Sequence, residues 1–171
     1  LRNMNAAGEA DIVVRFGQRG DLPVVGDWDG NGTWTVGVFR RADMTFYLRN
    51  SNASGPPETS IRTGPGGIPI AGDWNGDGVT TVGTCDPATA TFRLRNLNSS
   101  GPADLVITFG RPGDLPIVGD WNGSGADTIG TYRPGDGTFF LRNTNAPGPA
   151  DRTIPFGIAS DLPLTGHWNG G

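Results

Sequence analysis

LPIVGDWNGSGADTIGTYRPGDGTFFLRN, residues 115–143, decides the fold: short apolar runs, none long enough for a helix, separated by clusters of Gly, Asn, Asp and Pro. Such runs read as β-strands joined by turns. Nearly the same text stands at 22–50 and 68–96. Working outward, an LRN triplet begins at Leu1, Leu48, Leu94 and Leu141, 47, 46 and 47 residues apart. The Gly-Asp-Trp triplet begins at Gly26, Gly72 and Gly119 and returns as Gly166-His167-Trp168, 46, 47 and 47 residues apart. Two independent landmarks that keep one period establish an internal repeat.

Each unit superimposes as four strands. Strand A precedes the Gly-Asp-Trp, as at 22–26 and 115–119, with a proline near its start, where a missing N–H is tolerated. Strand B follows the glycine-rich loop at 35–39, 81–85 and 128–132, and strand C occupies 45–50, 91–96 and 138–143. Strand D is the most variable, at 11–16 and 105–109. A period near 47 with four strands predicts an all-β chain of β-propeller blades, small twisted antiparallel sheets that bury their faces against their neighbours. The glycine within strand B is expected to let the chain crowd the central axis, and the Trp after each Asp to fill the seam between blades. The phase divides the single repeat domain 1–171 into strands C and D of an incomplete blade (1–21), three blades (22–66, 67–113, 114–160) and strand A of another incomplete blade (161–171). Three arrangements suit that phase: a closed four-bladed ring lacking one strand B, a slice of a longer propeller, or a unit that recruits the missing strand from another copy.

Composition excludes several classes. With 29 Gly and 14 Pro the chain is turn-rich, yet 35% hydrophobic residues suffice for a packed core, which argues against disorder. A net charge of −4 argues against nucleic acid as a partner, because phosphate neutralisation needs clustered positive charge. No run approaches the ~20 apolar residues of a membrane helix, so no membrane span is expected. The start of the chain lacks the charged and apolar regions of a signal peptide, so it reads as a mature segment or a fragment. Cys85, the only cysteine, stands where other units carry Phe39 and Tyr132, and is expected to be buried filler rather than a nucleophile.

Oxygen-bearing side chains in the A–B loops fall at positions 1, 3 and 5: Asp27, Asp29 and Asn31; Asp73, Asn75 and Asp77; Asp120, Asn122 and Ser124. In such spacing alternate residues project toward one centre, and position 7 (Thr33, Val79) can add its carbonyl, which suits calcium. The competing reading is a metal-free turn in which the same side chains bond to the backbone. Gly-Asp-Trp-Asn-Gly-Asp-Gly followed by Thr-Val-Gly resembles the FG-GAP/VCBS-type repeats of bacterial surface proteins and the blades of integrin α propellers. That resemblance implies a secreted or cell-surface module, with cation-binding loops and a role in adhesion. Those repeats usually place a further aspartate at position 9, where this chain has Thr35, Thr81 and Thr128; only Asp127 offers an acid at position 8. With so few carboxylates any calcium site is expected to be weak, about 10⁻⁴ to 10⁻³ M.

Arg49, Arg95 and Arg142, one per strand C, read either as solvent-facing arginines covering aromatic neighbours or as a repeated site for carboxylate or sulfate groups of a polysaccharide. Trp34 replaces the Thr80 and Asp127 of the other units, and reads as seam packing or as a contact for sugar or protein. Asn31, Asn52, Asn98 and Asn122 match the glycosylation sequon, which chance explains in a chain so rich in Asn, Ser and Thr. His167, the lone histidine, comes with no nucleophile motif, and Asp27 and Asp29 are too close in sequence to flank a sugar ring. The expectation is a non-enzymatic, secreted or surface-exposed propeller module that recognises protein or polysaccharide. The alternative is a structural subunit that self-associates through its incomplete blade.

Overall fold

The computed structural model describes residues 1–3 and 7–166. Twelve strands form three antiparallel sheets of four, each strand pairing with its sequence neighbour. The first sheet comprises β1 (Leu22–Gly26), β2 (Thr35–Arg40), β3 (Thr45–Leu48) and β4 (Thr59–Arg62). The second comprises β5 (Ile68–Gly72), β6 (Thr81–Asp86), β7 (Thr91–Leu94) and β8 (Leu105–Thr108). The third comprises β9 (Leu115–Gly119), β10 (Thr128–Arg133), β11 (Thr138–Leu141) and β12 (Arg152–Pro155). Strands A to D of the repeat are therefore these four in order, and no helix occurs among the described residues. β1 lies beside β5 and β5 beside β9, so the A strands are innermost in a propeller-like arrangement.

β-Branched and aromatic residues fill these strands because their side chains pack on a pleated surface. In the first sheet Val24, Trp28, Phe39, Phe46, Leu48 and Ile61 form one buried cluster, which Val82 of the second sheet enters from across the seam. In the second, Ile70, Trp74, Phe92, Leu94, Ile107 and Phe109 cluster with Ile129 of the third. Trp28 and Trp74 thus reach the seams as expected, while the glycine of strand B has a different reason. A Cβ on Gly37 would lie 2.7 Å from Leu48 Cδ2 and 2.9 Å from Val24 Cγ2, both of its own sheet. The missing side chain makes room for the leucine of strand C, and does so without reference to the central axis.

The two ends differ from the strands expected there. Residues 11–16 form no ladder, although Leu1 O accepts the Asp11 N–H at 3.0 Å as Leu48, Leu94 and Leu141 accept from Glu58, Asp104 and Asp151. The Asn3 N–H likewise reaches the Asp11 carboxylate at 2.8 Å, as that of Asn50 reaches Glu58. Residues 161–166, expected as strand A, also lack a ladder; the Thr165 hydroxyl donates to Val118 O at 2.9 Å, placing them beside β9. The fourth loop, with His167, Trp168 and Asn169, lies outside the described residues.

Candidate functional site

The A–B loops turn on their first aspartate. Asp27 accepts the N–H groups of Asn31 and Gly32 at 3.0 and 2.7 Å. Asp73 accepts those of Gly76, Asp77 and Gly78 at 2.8, 3.1 and 2.8 Å, and Asp120 those of Ser124 and Gly125 at 2.9 and 2.7 Å. Closing the loop so tightly demands left-handed backbone at positions 4 and 6, met by glycine: Gly76 and Gly78 have φ of 73° and 87°. Burial pushes the Asp120 carboxyl up, but the N–H groups of Gly125 and Ser124 outweigh it and hold the group below the usual carboxylate range.

Positions 3 and 5 continue inward-turned bonding. Asp29 accepts from Asn31, Asn31 Oδ1 from Thr33 at 2.8 Å, and Asn122 Oδ1 from Ser124 at 3.2 Å. Asp77 is held low first by the Asn75 amide and then by the Val79 N–H, both 2.9 Å away. At position 9 the Thr35 hydroxyl donates to Gly26 O at 3.3 Å, and those of Thr81 and Thr128 donate to Arg95 O and Arg142 O of strand C at 2.6 and 2.7 Å. A calcium shell needs six to eight oxygens free to converge. Here the carboxylates at position 1 accept backbone N–H groups, and position 9 carries a hydroxyl turned into the sheet in place of a carboxylate. The first aspartate of each loop thus forms a side-chain-capped turn.

The same loops carry the seam between sheets. The Thr80 N–H donates to Asp27 O at 2.8 Å, and the Asp27 N–H returns a bond to Thr80 Oγ1 at 3.0 Å. One seam on, the Asp127 N–H donates to Asp73 O at 2.7 Å and Asp127 Oδ2 accepts the Asp73 N–H at 2.9 Å. Asn98 fastens the first seam by donating to Trp28 O and Thr80 O at 3.2 and 2.8 Å; Asn145 repeats this on Trp74 O and Asp127 O at 3.3 and 2.9 Å. Asn98, which matches a sequon, is thus a seam residue, and Asn52, which matches one too, bonds within its own unit to Trp34 O. Their signal in the sequence is the second Asn of LRNxN, recurring at Asn52, Asn98 and Asn145 with the period of the repeat.

Trp34 holds the first unit's seam position. Asn52 donates to its carbonyl at 3.0 Å, while its indole is 63% exposed. A cavity of about 980 Å³ borders it, lined by Pro23, Pro69, Pro116 and Pro163 of the four A segments together with Trp34 and Trp121.

The arginines correct one expectation. Arg49, Arg95 and Arg142 are buried rather than solvent-facing, and their guanidinium groups are taken up by their own C–D loops. Arg49 donates to Pro56 O and Ser51 Oγ, Arg95 to Pro102 O and Ser99, and Arg142 to Pro149 O and Thr144 Oγ1. Each also meets an acid, Glu58, Asp104 or Asp151, at 3.3, 3.3 and 3.1 Å. They brace loops from within, a role one-per-repeat spacing could not distinguish from a binding ring. Cys85 is buried as expected, and burial pushes its thiol up to about 12. The structure therefore brings the loop residues together within each unit, but leaves Trp34 as the one exposed aromatic among the expected site residues. No family model, curated protein or solved structure matches this chain.

Proposed function

We propose that the chain is a non-enzymatic, secreted or surface-exposed recognition module that engages a protein or polysaccharide at the A–B loop end, with Trp34 as its principal contact. The observation that carries this reading is the exposed Trp34 indole beside the proline-lined cavity. Its neighbours in the other units, Thr80 and Asp127, spend their side chains on the preceding sheet. A large aromatic on a rigid β-scaffold offers apolar area at low entropic cost, which suits stacking on a sugar face or anchoring a protein contact. The A–B loops around it repeat one shape, so weak contacts at several units add through effective concentration.

Acid–base or nucleophilic chemistry has little support, since the thiol is buried with a raised pKa and the loop carboxylates cap backbone N–H groups. Screening on polysaccharide and extracellular-protein arrays, followed by titration of Trp34→Ala against each hit, tests the proposal. A hit weakened at least tenfold by the substitution is expected. Arrays without hits, or hits that bind Trp34→Ala as well as the parent chain, overturn it.

A further inference from the structure

We propose that Asn122 is a site of spontaneous amide loss, converted through a cyclic imide to aspartate and isoaspartate, while the matching Asn-Gly bonds of the other two loops are held closed by their capping aspartates. The inference concerns the A–B loop end of the sheets and stands whatever Trp34 contacts.

It starts from a dipeptide that each described A–B loop carries: Asn31-Gly32, Asn75-Gly76 and Asn122-Gly123. All of these residues are exposed. Glycine after asparagine leaves the next backbone nitrogen unshielded by a side chain. Once it has given its proton to solvent base, that nitrogen can attack the side-chain carbonyl carbon. A C–N bond closes the imide, and the side-chain nitrogen leaves as ammonia, taking up a proton in its turn. Water then opens the ring at either carbonyl, which gives aspartate or isoaspartate. Water is the only co-reactant.

The attacking nitrogen is not equally free in the three loops. The Gly32 N–H donates to Asp27 Oδ2 at 2.7 Å, and the Gly76 N–H to Asp73 Oδ1 at 2.8 Å. Hydrogen bonds to an ionised acceptor are the strong ones, and these must break before the nitrogen can react. The Asn75 side chain is tied as well, its amide donating to Asp77 Oδ2 at 2.9 Å. In the third loop Asp120 spends its oxygens on the N–H groups of Ser124 and Gly125 at 2.9 and 2.7 Å. That of Gly123 is left with the weakest backbone contact to this carboxylate, short of a hydrogen bond of normal geometry. Position within the loop explains the difference. Asn31 stands at position 5, and all three caps reach the N–H of position 6. Asn75 and Asn122 stand at position 3, and only Asp73 reaches the N–H of position 4. Conversion gives the third loop an acid at position 3, the residue type that the first loop carries there in Asp29.

The test holds the full chain in mildly alkaline buffer, samples it over days and maps the digested peptides by mass spectrometry, reading isoaspartate by its separate elution. Asn122 is expected to convert at least tenfold faster than Asn31 or Asn75, and the three rates to converge when the chain is unfolded in urea. Asp73→Ala frees the Gly76 N–H, so Asn75 should rise to the rate of Asn122 while Asn31 in the same molecule stays slow. Acceleration at Asn31 too would mean that the variant has opened as a whole, and the ranking in the parent chain then decides alone. Equal rates at the three sites of the folded chain, or Asn31 or Asn75 converting before Asn122, overturn the proposal. So does an Asn122 that stays intact in the folded chain, or an Asn75 indifferent to Asp73→Ala.

Discussion

Trp74→Ala isolates the seam because the repeat supplies its own control at Trp121. Trp74 lies buried among Ile70, Phe92 and Leu94 with Ile129 reaching it from the third sheet, so truncation removes an indole that both sides of a complete seam enclose. Truncating a fully enclosed aromatic costs about 3 to 5 kcal/mol, the transfer term together with the cavity left behind. Trp28, packed with Val82 across the first seam, should cost the same roughly 3 to 5 kcal/mol. Trp121 has the same sequence surroundings but is only half-buried and lines the open cavity, its Nε1–H donating to Ile129 O at 3.3 Å. With less area to lose and no closed cavity to create, it should cost about 1 to 2 kcal/mol. Urea unfolding of the three variants, followed by far-ultraviolet circular dichroism and analysed at a common slope, measures the ranking. Equal losses at all three sites, or a Trp74→Ala loss under ~1 kcal/mol, would refute the view that seams between sheets carry the stability.

Acid stability should depend on capped and paired aspartates. Arg40 holds the Asp21 carboxyl below its ordinary value, so the stability it contributes is complete above the unfolded value near 4 and drains as pH falls through the lower folded one. Melting temperature against pH should therefore fall below about pH 4 in the parent chain and fall less in Asp21→Asn; superimposable acid limbs would contradict this. Cys85, with its thiol raised to about 12 by burial, should resist a thiol-reactive disulfide reagent at pH 8 in the folded chain and react once the chain is unfolded. Modification at equal rates in both states would contradict the packing of the second sheet. Because the loops are capped by their own backbone N–H groups, calorimetry with calcium in the range of about 10⁻⁴ to 10⁻³ M should show no binding heat. Heat that disappears in an Asp73→Asn, Asp77→Asn double variant would restore the cation reading.

The strands and their order were legible because every one of them is written three times: the alternation of Phe46 and Leu48 against Tyr47 in strand C returns at Phe92, Leu94 and Arg93. The loops were half legible. Oxygen at positions 1, 3 and 5 marks both a cation loop and a self-capped turn, and the spacing does not say that the Asp27, Asp73 and Asp120 carboxylates accept the N–H groups of their own loops. Arginine spacing was read in the wrong environment, since periodicity says where Arg49, Arg95 and Arg142 recur but not that their own C–D loops fold over them. Asn52 and Asn98 carried a signal of another kind: beside their chance match to a three-residue motif, they recur with Asn145 at the period of the repeat.

In the first two units one aspartate does two jobs, and this bears on where such a surface can vary. Through its carboxylate Asp27 closes its own loop, and through its backbone it binds Thr80 of the next sheet; Asp73 does the same with Asp127. Replacing its side chain would open the turn that positions those backbone groups, and position 1 is aspartate in all three described loops. Freedom lies at position 8, where Thr80 and Asp127 meet the preceding sheet through a hydroxyl and a carboxylate. An indole cannot accept a hydrogen bond in their place. Trp34 therefore cannot reproduce the acceptor half of that seam, and the position that elsewhere joins one sheet to the last instead turns a large apolar group outward. The proposed contact residue is thus the one whose side chain lacks the acceptor that this position supplies in the other two units.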